Sequence, residues 1–239
     1  MPHTAGQLRA DQARRDSVRT VGWSGALALA AMVAAHVLGA AVVDPVLDPV
    51  SFYAFVPGGG EAILLGGTVL AVVGMVLVAR AYRTGLAAGP LPGVAMIVFA
   101  VAMVLVGVFP TDPPGVATTL SAAVHRTSAA AAFVVLPVVG HCVARRVTVP
   151  RSASPRRLQR ATVSLAVLVM AFLAVHLPLA AVGSGIAAFG LLERIGFVLM
   201  IGYLLLLADT IDREAPGTTS SSGSIELAVS EPRPVDLAA

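Results

Sequence analysis

Val21–Val43, VGWSGALALAAMVAAHVLGAAVV, runs 23 residues without an Asp, Glu or Arg. A helix needs about 20 apolar residues to cross the roughly 30 Å hydrocarbon core of a bilayer, so this stretch has the length of a membrane span. Arg9, Arg14, Arg15 and Arg19 precede it, as before a secretory signal. A signal's apolar region is shorter, about 7–15 residues, and five further apolar stretches follow. They are Ala62–Ala79, Leu91–Phe109, Thr127–Ala144, Ala161–Ala188 and Ile195–Ala208. Only backbone that satisfies its own hydrogen bonds crosses lipid, so all six are read as helices. The expected architecture is an all-α bundle of six transmembrane helices at about 21–43, 62–79, 91–109, 118–144, 161–182 and 187–208. Residues 1–20 form a basic arm on the anionic inner leaflet, and residues 209–239 a tail too polar to fold.

The composition agrees. The chain is 57% hydrophobic and 12% charged, with a mean hydropathy of +0.87, outside the range of soluble domains. A pI near 9.7 does not point to nucleic acid, because the arginines flank apolar spans and form no aromatic-interleaved stripe. Fourteen of the 16 lie in the N-terminal arm, the second and fourth connections and the tail. The positive-inside rule therefore places both termini in the cytoplasm. Lysine is absent, and Ala, Val and Gly are abundant, a composition associated with GC-rich bacterial genomes; the expected location is a bacterial cytoplasmic membrane. Cys142 is the sole cysteine, which excludes an internal disulfide.

Ionisable side chains within spans are costly, so each is a functional candidate. His36 and His176 stand about 15 residues above the cytoplasmic starts of helices one and five, roughly 22 Å up. His125 and Arg126 enter helix four from the outer side, and Glu193 and Arg194 enter helix six there. Glu61 opens helix two, and Asp112 stands in the turn after helix three. All six helices thus offer a polar group to one outward-facing pocket. The competing reading is structural: the charges neutralise one another at helix ends, and the histidines bond to neighbouring helices. His141, near Arg145 at the other end, is read as structural.

Specific chemistries find less support. His36 and His176 offer one axial pair for haem but no second pair for an electron path. His36, His125, His176 and Asp112, with Glu61, have the right types for zinc, yet lack His-x-x-x-His or His-Glu-x-x-His spacing. No cofactor is expected. Ser184 in Val-Gly-Ser-Gly lacks the earlier glycine and the later histidine of an intramembrane serine protease. Gly58–Gly60 lacks a Walker lysine.

Four segments recur in a known order: Asp48-Pro49-Val50-Ser51, Gly107-Val108-Phe109-Pro110-Thr111-Asp112, His125 entering helix four, and Gly190-Leu191-Leu192-Glu193-Arg194. Together they resemble a family of six-helix prokaryotic membrane proteins known as domain of unknown function 998. The resemblance covers about residues 21–208 and implies the six-helix fold. It singles out Asp112, His125, Glu193 and Arg194, and more weakly Asp48 and Ser51. After Ser51 the chain departs from the family's usual Ser-Asp/Glu-Leu continuation. The family brings no activity with it.

The functional expectation is a non-enzymatic membrane protein that binds or senses a lipid headgroup or small solute. Arg126 and Arg194 would hold an anionic group, with Asp112, His125 and Glu193 completing the shell. The rivals are a metal-dependent lipid hydrolase or transferase in the same pocket, and a small transporter.

Overall fold

The computed structural model describes residues 5–113, 116–181 and 188–215. Six α-helices account for most of them: α1 (Ala5–Gly39), α2 (Gly59–Arg83), α3 (Leu91–Val108), α4 (Leu120–Arg146), α5 (Ser154–Ala181) and α6 (Phe189–Glu214). A short 3-10 helix, Val50–Phe55, lies in the α1–α2 connection, and no strand occurs among the described residues. Each α-helix contains a stretch long and apolar enough to cross a membrane. Between 22% and 44% of each apolar window is buried, so most of every helix surface faces outward. Exposed Val33, Leu38, Val98, Val167 and Met170 are among the side chains there. So wide an apolar exterior suits lipid and not water.

Successive helices pack in chain order, and α6 returns to α1, which closes the bundle. The last helix also touches α2 and α4, while α5 packs at the periphery against α4 and α6. Lipid tails are as apolar as the side chains they would replace, so close packing and hydrogen bonds hold such helices together. Phe99, Met96, Leu70, Leu77, Leu136 and Leu204 are fully buried between them. At Gly67 a Cβ would stand 2.5 Å from the Met103 carbonyl oxygen; α2 and α3 approach that closely because glycine occupies the contact. Thr162 and Tyr203 share a 2.7 Å hydrogen bond between α5 and α6.

Several boundaries differ from the sequence expectation. The arm is helical from Ala5 and continuous with the first span. The second helix starts at Gly59, three residues early, because Gly58 takes φ +81° and turns the chain into it. The sixth runs on to Glu214 and takes in residues assigned to the tail. Its last turns are polar because they are held by other elements. Asp212 pairs with Arg80 of α2, and Ser154 Oγ donates to Asp209 at 2.5 Å. Glu214 accepts from Ser152 Oγ at 2.6 Å and from the Arg151 backbone N–H at 2.8 Å. Residues 216–239, and the Gly183-Ser-Gly connection, lie outside the described residues.

Candidate functional site

The site lies at the end of the bundle opposite the arginine-rich connections. The α1–α2 connection folds back here and docks on the first turns of α6. Asp44 starts it: its Oδ1 accepts the backbone N–H groups of Val46 (2.8 Å) and Leu47 (3.0 Å). Those two bonds, Leu47 first, hold the Asp44 carboxyl below the usual carboxylate range. Asp48 Oδ2 accepts from the Asp44 N–H at 2.8 Å, so Asp48 serves the loop and not a ligand. The Leu191 N–H then donates to the Val46 carbonyl at 3.0 Å. A Cβ on Gly190 would overlap the Asp48 carbonyl, so only glycine lets the loop lie this close.

Arg194 is the clasp. Its Nη1 donates to the carbonyls of Gly190 (2.8 Å) and Asp48 (3.1 Å), and its Nη2 to Tyr53 Oη at 2.6 Å. Tyr53 is completely buried. Its hydroxyl, already accepting from Arg194, shares a second hydrogen bond with His36 Nδ1 at 2.7 Å. The loop, α6 and α1 are joined by this Arg194–Tyr53–His36 chain. Glu193, the preceding residue, accepts the Val50 N–H on Oε2 at 2.6 Å. No hydrogen bond reaches its Oε1 among the described residues.

A second group forms around the α3–α4 turn. His125 is buried, with Nδ1 2.8 Å from the Phe109 carbonyl. Asp112 accepts the Thr119 N–H (2.8 Å) and hydroxyl (2.7 Å), while Thr119 caps α4 by accepting the Ala122 N–H at 3.3 Å. The bonds from Thr119 hold the Asp112 carboxyl below its ordinary value. A group whose pKa falls on folding contributes stability above its unfolded pKa, near 3.9, and loses it as pH falls through the folded value. The thermal midpoint of wild type should therefore exceed that of Asp112→Asn at about pH 6, and the gap should close toward about pH 3. A gap unchanged between those conditions would refute this role.

The two groups meet at a cavity of about 110 Å³ inside the bundle. Helices α1, α2, α3, α4 and α6 line it, together with Val50 and Ser51 of the docked loop. Most of the wall is apolar, including Met32, Met103, Phe133 and Phe197; the polar side chains are Ser51, His125 and Glu193. An outward-facing polar pocket was the expectation, and this corrects it: aliphatic and aromatic residues on the inner helix faces outnumber the polar ones.

The remaining candidates do not join. Arg126 is exposed on α4, donates to Thr118 at 3.5 Å and lies near enough to Asp112 to act on its charge. Arg194 is turned to its own loop. Neither lines the cavity, so the joint anion clamp expected of these two arginines is not formed. Glu61 is exposed in the first turn of α2, where the helix dipole favours a carboxylate. His176 stacks on Phe172 and Phe189 at 5.2 and 5.3 Å between ring centroids. Its buried Nδ1 has no partner among the described residues. His36 and His176, the pair considered for haem, thus belong to different contacts. No three His, Cys, Asp or Glu side chains gather to hold a metal among the described residues; of those weighed for zinc, His125 and Asp112 share the α3–α4 turn, while His36 and His176 lie in other contacts.

Tyr53, the Val50 N–H and Ser51 carry more of this site than the sequence suggested. The run Phe52-Tyr53-Ala54-Phe55 reads as an interfacial belt. A buried tyrosine needs a partner for its hydroxyl, and that need was the one signal that linked it to Arg194 or His36.

A family model described as "Protein of unknown function (DUF998)" matches residues 24–209. No curated protein and no solved structure matches the chain.

Proposed function

Because the chain belongs to the DUF998 family of proteins of unknown function, its own cavity is the guide, and we propose that this multi-pass membrane protein binds a small, mainly apolar solute within its helix bundle. The observation that carries this reading is the cavity itself, about 110 Å³ walled by five helices and by Val50 and Ser51. An apolar protein cavity of about 150 Å³ accommodates benzene, so the occupant has roughly that bulk. Filling such a space restores contact energy of about 24 cal/mol per Å³. Over this volume that amounts to roughly 3 kcal/mol, about a hundredfold in affinity. The same reading places the arginine-rich end in the cytoplasm of a bacterial cell, supported by the arginine distribution.

The test is photolabelling in lipid vesicles with hexanol bearing a diazirine. Label should appear on Met32, Met103, Phe133 and Phe197, and Ala129→Leu or Ala62→Leu should reduce it to the level of outward-facing Val33 and Val167. Label confined to outward-facing residues in the wild type would overturn the proposal.

A further inference from the structure

The hydrogen-bonding character of the cavity is one-sided. The Phe109 carbonyl can only accept, so His125 Nδ1 carries the proton in their 2.8 Å bond. The neutral imidazole then has its lone pair on Nε2, an acceptor. Glu193 uses Oε2 to accept the Val50 N–H, and no bond reaches Oε1 among the described residues. Ser51 serves either role. Of the three polar side chains lining the cavity, two therefore accept and none is restricted to donating. The site's cationic group, Arg194, is held by Tyr53 and two backbone carbonyls.

We infer that the ligand is a short single-chain primary amine, its apolar chain in the cavity and its nitrogen on Glu193 Oε1. This rests on the cavity being the binding site. A carboxylate or phosphate headgroup would meet two acceptors, Glu193 and His125, with Ser51 the one lining side chain able to donate to it. An alcohol donates one hydrogen bond, whereas an ammonium donates three. With the proton on nitrogen the contact is charge-assisted; with it on oxygen, the carboxyl O–H donates to the amine nitrogen. An aminophospholipid carries the same ammonium on two long chains, too bulky for about 110 Å³.

Competition against the diazirine-bearing hexanol tests this in phosphatidylglycerol vesicles at neutral pH. Hexylamine should protect the cavity residues about tenfold to a hundredfold better than hexanol, and hexanoate worse than either. Glu193→Gln, which keeps an oxygen for the Val50 N–H, should bring hexylamine and hexanol together. Comparing both competitors in the two proteins cancels their partition into lipid. The wild-type ranking alone decides if the variant does not fold. Equal protection by amine and alcohol, or best protection by hexanoate, would overturn the amine while the cavity stands as a binding site. Absence of cavity labelling would overturn both. Adding phosphatidylethanolamine to the vesicles should give no protection; protection would move the assignment from a free amine to a lipid headgroup.

Discussion

Gly190→Ala is expected to destabilise the protein by about 3 kcal/mol, measured by unfolding in mixed micelles. The new Cβ would overlap the Asp48 carbonyl oxygen, and neither partner is a flexible side chain that can swing aside. Relief requires the loop to lift from α6. That strains the Leu191–Val46 backbone bond and the bond from Arg194 to Asp48. Protease cleavage within residues 44–58 should rise in parallel. Gly202, on the same helix, is the control, because a Cβ there meets nothing within 4 Å. Alanine there should be neutral or stabilise by up to about 1 kcal/mol through helix propensity. Equal stability of the two variants would show that the loop does not dock as described.

Removing the Tyr53 hydroxyl is expected to have a comparable effect. Tyr53→Phe preserves the ring packing and deletes one oxygen, yet that oxygen serves both Arg194 Nη2 and His36 Nδ1. Stranding a buried polar group costs about 1–3 kcal/mol, more for a charged one. A loss of about 3 kcal/mol is the expected result. Tyr53→Ala adds the missing ring and should cost about 5 kcal/mol. A loss under about 0.5 kcal/mol for Tyr53→Phe would mean that water or the loop backbone replaces the hydroxyl. In a double-mutant cycle, Arg194→Met should add little to Tyr53→Phe, since both break the same clasp.

How much of this was legible in the residues follows from which contacts are local. Glu193 and Arg194 were drawn into helix six because Ile195–Ala208 is too short to span, and α6 does begin before them, at Phe189. His125 was placed at the entry of helix four and Asp112 in the turn after helix three, and both do lie around the α3–α4 connection. The error lay in assuming that polar groups at one depth face one another. Arg126 is next to His125 in sequence but turned about 100° around the helix, which sends it outward while His125 goes in. Tyr53 was misread for a different reason. Its partners are 17 and 141 positions away, and no periodicity connects a loop to helices that distant. The polar end of α6 looked like disordered tail because its stabilising partners, Arg80, Ser152 and Ser154, lie on other elements.

The sequence by itself determined the class and the number of spans, because the cost of placing backbone and charge in lipid is local and sums over each run of about 20 residues. It also located the ionisable residues along the chain and at the helix ends. Tertiary structure alone decided which of them share a surface. The cavity exists because small residues at Ala28, Ala35, Gly66 and Ala132 face one another across three helices. Its polar character depends on Val50 reaching a carboxylate 143 residues away. Such features arise from the rotation and spacing of packed helices, which hydropathy does not encode. Arg194 shows the difference: the sequence marked it as the charge to explain, and the fold turned that charge from a ligand toward the loop that lines the cavity.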